Sequence, residues 1–207
     1  MLTKYFYFLT VILLLNSCKT EKEEVLDVEI STGKYSYKAL NTSVDSLQYN
    51  NPLLLDLNGD GTIDFYLTSV LIEENDQPYL YLLLNRKTPN LNKALVRQGE
   101  ELGINGLWGV PLDAGVKIEE DAQAGKIWSA DQTKTALLNL SDTGTSKVFG
   151  GEWLNKKDKY LGLKFIISGQ YHYGWIRISH TQNEAKLAIL DYAYNKLPGE
   201  PIRAGEK

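Results

Sequence analysis

The densest run of metal-binding chemistry in the chain is DLNGDGTIDF, residues 56–65. Asp56, Asn58, Asp60 and Asp64 alternate there with other residues around Gly59 and Gly61. Calcium takes roughly six to eight hard oxygen ligands, several of them anionic, from a chain that folds tightly around the ion. In such loops positions 1, 3 and 5 supply side-chain oxygens, a position-6 glycine permits the sharp turn, and position 7 offers its backbone carbonyl. Asp56, Asn58, Asp60, Gly61 and Thr62 fill those places, with Asp64 at position 9. The expected cofactor is one calcium ion held by Asp56, Asn58, Asp60, Thr62 and Asp64, with a dissociation constant on the order of 10⁻⁴ to 10⁻³ M, as in extracellular modules. A turn that binds nothing is the competing reading, because Asp, Asn and Gly favour tight turns for their own reasons.

A helix–loop–helix calcium switch also needs a bidentate Glu at position 12, on an exiting helix. Position 12 is Leu67, and the residues around it, FYLTSV (65–70), are aromatic and β-branched, which suits a strand. The loop more closely resembles the calcium loops set between β-strands in FG-GAP-type repeats. That resemblance implies a static staple with no moving helices.

Other chemistries have less support. His172 and His180 are the only histidines, whereas a catalytic zinc site needs three protein ligands. No Gly-x-Ser-x-Gly elbow and no phosphate-cradling glycine loop occurs. Glu119, Glu120, Asp121, Glu152, Asp158 and Asp191 could supply a pair of carboxylates for glycoside hydrolysis, but only distance in space defines such a pair. Asp191, on a strand that reads as interior, is expected to pair with Arg177 or to accept backbone N–H groups. Trp153 and Trp175 are assigned to the core. Trp108, in GINGLWGVPL, is expected to be an exposed ligand contact, whereas His172, beside Tyr173 and Trp175, reads as a partly buried strand residue hydrogen-bonded to a neighbour, with a place in a ligand groove as the alternative.

The elements that must carry these residues are short and strand-like. With 13 Tyr, 4 Trp and glycine throughout, and no long stretch of 3.6-residue periodicity, the chain reads as all-β. KYSYKAL (34–40), IDFYLTSVLIEE (63–74) and YLYLLLN (79–85) are expected strands, the last two joined as an antiparallel hairpin. KYLGLKFIIS (159–168), QYHYGWIRISH (170–180) and AKLAILDYAYN (185–195) form three more, with Leu187, Ile189, Asp191 and Ala193 sharing one face of the last. Residues 86–135, rich in breakers, read as irregular loops and short strands with one helical turn near 119–124. Two rather apolar faces per strand suit an antiparallel β-sandwich, jelly-roll-like, forming a single domain over 28–207 with the calcium loop inserted.

Residues 1–17 carry one early cation, Lys4, then an apolar run from Tyr5 to Leu15 that is short for a membrane span. This is the layout of a secretory signal, and Leu15-Asn16-Ser17-Cys18 resembles a bacterial lipobox. Cys18, the single cysteine, cannot form an internal disulfide and is placed for lipidation. Residues 18–27 form a charged tether, in which Lys19 to Glu24 (KTEKEE) resemble the acidic signal of surface-exposed lipoproteins of the Bacteroidota. Loss of Lys4 with the leader takes the net charge from −4 to −5, and an acidic chain with no basic stripe argues against nucleic acid as a partner.

GEW (151–153), KYLGLKF (159–165), HYGWIRI (172–178), DYAYN (191–195) and PGEPIRAG (198–205) together resemble a C-terminal pattern of secreted bacterial proteins, many with a PEP-CTERM-type sorting tail. The upstream Asp-x-Asn-x-Asp-Gly-x-x-Asp-Phe element of those proteins is matched by residues 56–65. The sequence ends at Lys207 with no such tail, so Cys18 would supply the anchor. The resemblance implies an extracytoplasmic β domain and brings no activity with it. The expected protein is a lipid-anchored outer-membrane lipoprotein at the cell surface, non-catalytic, with the membrane and a glycan or envelope protein as partners. Its rivals are a carbohydrate-active or otherwise hydrolytic lipoprotein and an accessory subunit of an outer-membrane complex.

Overall fold

The computed structural model describes residues 29–30 and 33–207, apart from 75, 88–90, 103, 131–133 and 143. The signal segment 1–17, Cys18 and the tether 18–27 lie outside the described residues. Among the described residues, fifteen strands follow in chain order: β1 (Glu29–Ile30), β2 (Tyr35–Asp45), β3 (Leu53–Leu55), β4 (Phe65–Glu74), β5 (Gln77–Arg86), β6 (Lys93–Glu101), β7 (Ile104–Gly109), β8 (Lys117–Ile118), β9 (Ile127–Trp128), β10 (Thr135–Asp142), β11 (Lys147–Gly150), β12 (Lys159–Ile167), β13 (Gln170–His180), β14 (Lys186–Asn195) and β15 (Ile202–Arg203). A 3₁₀ turn at Ser46–Tyr49 is the one helical element among the described residues, and none is long and apolar enough to cross a membrane.

The all-β, mostly antiparallel expectation holds. Thirteen strands form one sheet in the order β1-β2-β14-β13-β12-β6-β7-β10-β5-β4-β3, with β9 added to β6 and β11 to β10. The sheet curls until it is nearly a barrel. Its halves are joined through β6, which meets β12 at only two residue pairs, Leu163–Ala94 and Lys164–Lys93. Both halves pack into one interior: Val44, Phe165, Ile176 and Leu187 come from one side and Leu55, Phe65, Leu82 and Leu137 from the other. Burial of such side chains, at about 1.5–3 kcal/mol each, drives the closure.

Three hydrogen bonds draw the ends of the sheet together. Thr68 Oγ1 donates to the Gln48 carbonyl at 2.9 Å, and Ser69 Oγ to that of Ser46 at 2.9 Å. Tyr192 on β14 donates its hydroxyl to the Asp56 carbonyl at 3.2 Å. The seam thus runs beside the Asp-rich loop.

The outer wall is covered as well. Leu95, Leu112, Ile118, Trp175 and Ile202 form a second apolar cluster beneath the β8–β15 ribbon. This explains why strands of the C-terminal third are apolar on both faces.

Three sequence expectations need correction. Residues 86–135 contain two full strands, β6 and β7, paired from Val96–Gly109 to Glu101–Ile104. Gly99 and Gly106, which read as breakers, face each other in that ladder. A Cβ on Gly99 would lie 1.8 Å from the Arg97 guanidinium, so glycine there makes room for a neighbouring side chain inside a strand. Residues 119–121 form a bend and 124–125 a tight turn closed by the Lys126 N–H on the Gln123 carbonyl at 3.0 Å, with no helix. In β14 the face assignment fails after Ile189, because register shifts against β13 and β2 occur between Ile189 and Asp191. These bulges flip the phase: Tyr192 and Tyr194 join Leu187 and Ile189 in the interior, and Asp191 and Ala193 face outward.

Candidate functional site

The loop between β3 and β4 is turned by Gly59 and Gly61, whose φ values of +75° and +83° are ones L-residues rarely adopt. Asp56 folds it from one end: Oδ1 accepts the Gly59 N–H and Oδ2 the Gly61 N–H, each at 2.8 Å. Asp60 Oδ1 accepts the Thr62 N–H at 2.7 Å, and its Oδ2 takes a hydrogen bond from the Asn58 amide at 2.9 Å. Asn58 Oδ1 accepts the Asp60 N–H at 3.2 Å. These hydrogen bonds, Asn58's first, hold the Asp60 carboxyl below its ordinary range.

Asp64 points the other way. It is 5% exposed, and Oδ2 accepts the Leu57 N–H at 2.9 Å while Oδ1 accepts from the Asn92 amide at 3.1 Å. Burial raises its pKa from 3.8 to about 6, with smaller contributions from the negative charges of Asp56 and Asp60. Asn92, which no sequence pattern singles out, also accepts the Ile166 N–H at 3.0 Å and so ties the loop to β12. With Tyr192 on the Asp56 carbonyl, the loop is fastened to both β12 and β14.

The structure therefore gathers Asp56, Asn58, Asp60 and the Thr62 backbone, and sets Asp64 beneath them. Among the described residues no three His, Cys, Asp or Glu side chains converge as a metal-holding group. The donor chemistry nonetheless suits a hard cation, since every candidate ligand is oxygen and three are anionic. In the observed rotamers those oxygens are spent on the loop's own amides and on Asn92.

The remaining candidates are dispersed. Trp108 is not an exposed contact: it is fully buried on β7 beneath Tyr81, and its Nε1 donates to the Gly99 carbonyl at 3.1 Å. Above it lies a shallow groove of about 220 Å³ whose walls include Ile72, Leu83 and Leu107. His172 is 4% exposed, faces the interior against Phe165 and Tyr194, and contacts the Asn195 carbonyl at 2.9 Å; it is the hydrogen-bonded strand residue of the main expectation and lines no open groove. His180 accepts the Asn155 N–H through Nδ1 at 2.9 Å. Trp153 and Trp175 are core residues, as expected.

Most of the candidate acids have separate partners. Glu119 pairs with Lys117 at 2.7 Å, Glu120 with Lys164 at 2.6 Å, and Glu152 with Arg97, which also holds Glu101 at 2.8 Å. Asp191 takes a bidentate contact from Arg177, Nε to Oδ1 at 2.8 Å and Nη2 to Oδ2 at 2.6 Å, as the sequence leads one to expect. The Tyr37 hydroxyl completes that cluster at 2.9 Å. Compared with family models, curated proteins and solved structures, the chain matches none of the three.

Proposed function

We propose that this is a calcium-stabilised β-sandwich domain, its two half-sheets acting as the layers and its Asp-rich loop as the fastener. The carrying observation is where the loop sits: Asp56 through Tyr192 and Asp64 through Asn92 connect it to β14 and β12, next to the seam of the curled sheet. Three carboxylates crowd a short loop there, and Asp56 and Asp60 already disfavour the charge on Asp64. A divalent cation held by Asp56, Asn58, Asp60, the Thr62 carbonyl and Asp64 would relieve that repulsion and stiffen the seam. The loop joins two strands and no helix flanks it, which favours a static role over a switch.

The lipobox-like run at Cys18 and the acidic tether support placement at the outer membrane, facing outward on a lipid anchor. The role we infer is non-catalytic, either binding a glycan or an envelope protein or serving as a structural part of an envelope assembly. Calorimetric titration of the calcium-stripped full chain tests the calcium reading. One ion per chain is expected, with a dissociation constant on the order of 10⁻⁴ to 10⁻³ M, and Asp60→Ala should abolish the heat. Absence of binding to the wild type at about 10 mM calcium, roughly tenfold above that range, would overturn the reading.

A further inference from the structure

On the outer wall of β12, far in sequence from the Asp-rich loop, Lys164 is a buried cation. Its side chain is only 6% exposed, whereas that of its partner Glu120 is 69% exposed. Nζ donates to both Glu120 oxygens, at 2.7 and 2.6 Å, and the Tyr173 hydroxyl donates to Oε2 at 2.6 Å. The ammonium also lies 4.2 Å from the centre of the Tyr171 ring. These bonds, Lys164's first, hold the Glu120 carboxyl below its ordinary range, and Lys93, next to Lys164 across the β6–β12 ladder, adds to that effect.

The asymmetry of burial matters. Two donors are fixed in the wall, and the carboxylate they hold arrives on an arm that is mostly in water. The arm's backbone is pinned separately, because Trp128 Nε1 donates to the Glu119 and Glu120 carbonyls at 3.2 and 2.9 Å. The Glu120 side chain can therefore rotate out while the loop stays in place. Doing so exposes an ammonium and a phenol that need an anion, since an unpaired buried cation is costly. Beside them stand two half-buried aromatic rings, Tyr171 and Trp128, the latter 6.0 Å from Tyr173.

We propose that Lys164 and Tyr173 form a carboxylate-binding pocket for an acidic sugar, which Glu120 fills as an internal stand-in until the ligand displaces it. The ligand's carboxylate takes the place of the Glu120 carboxylate, and its ring packs against Trp128 and Tyr171. This pocket does not depend on calcium binding at the loop.

The test uses the detergent-solubilised full chain and three probes in calorimetry: glucuronate, acetate (carboxylate without a ring) and glucose (ring without a carboxylate). Removing the competitor in Glu120→Ala should tighten glucuronate binding at least about tenfold over the wild type. Glucuronate should bind Glu120→Ala more tightly than acetate does, and glucose should not bind. Adding Trp128→Ala should erase the advantage of glucuronate over acetate. Equal affinity for acetate and glucuronate in Glu120→Ala would mean a hole left by a structural ion pair and would overturn the proposal, as would no binding at all. If Glu120→Ala is unfolded at the assay temperature, Glu120→Gln, which keeps a hydrogen-bonding arm without the charge, is read by the same criteria.

Discussion

Replacing Asp64 by Asn in the calcium-free protein should change how stability depends on pH. Asp64 is 5% exposed and its carboxyl titrates near 6 in the fold, against 3.8 as the ordinary value. A shift of about two units corresponds to about 3 kcal/mol. Because the folded pKa is the higher one, the stabilising contribution is complete below pH 3.8 and is lost as pH rises through about 6. Ionised Asp64 therefore costs the wild type about 3 kcal/mol at neutral pH. The amide introduced by Asp64→Asn would carry no charge but could accept only one of the two hydrogen bonds from Leu57 and Asn92, a loss of about 1 kcal/mol. Urea unfolding of both proteins in calcium-stripped buffer between pH 3 and 7.5 is the assay. Asp64→Asn should be the less stable protein by about 1 kcal/mol at the acid end and the more stable by about 2 kcal/mol at the other. A difference that stays flat with pH, or that moves against the substitution as pH rises, would refute the reasoning.

Three further substitutions probe the frame. Asp191→Ala removes the partner of Arg177 and the acceptor of Tyr37, and should cost about 3 kcal/mol in urea unfolding, the low end for a buried pair because Arg177 is 31% exposed and can hydrate. Gly151→Ala should cost roughly 3 kcal/mol or more, since its φ is +106° and a Cβ would meet the Leu137 carbonyl at 2.6 Å; a cost under about 1 kcal/mol would mean the chain relaxes there. Trp108→Ala should cost roughly 3–5 kcal/mol, the range for deleting a large core aromatic, where an exposed tryptophan would cost little.

How much is legible in the sequence depends on whether a signal is local. The hairpin β12–β13 can be read because alternation is clean and Gly169 marks the turn, but the turn pair is Ser168-Gly169, both at positive φ, one residue earlier than Gly169-Gln170 would suggest. The spacing of Asp56, Asn58 and Asp60 is likewise visible, and the loop does stand between strands. Asp64's inward turn is not, because its partner Asn92 lies 28 residues away and no local pattern links them. The phase of β14 is misleading because LAILDYAYN is apolar in either phase and a bulge leaves no mark in such a run. The glycine neighbours of Trp108 suggest a loop, yet Gly106 is the residue opposite Gly99 in a regular ladder. Likewise the continuity of the sheet through β6 rests on two residue pairs between distant segments.

The most direct test of the calcium account is the melting temperature of the full chain in about 2 mM calcium and in excess chelator. With a dissociation constant of about 2 × 10⁻⁴ M, mass action gives about 1.4 kcal/mol. For a chain of this size that is a rise of about 3–6 °C in calcium, and Asp56→Ala should lose it. An unchanged melting temperature in the wild type would contradict the claim that calcium fastens this fold.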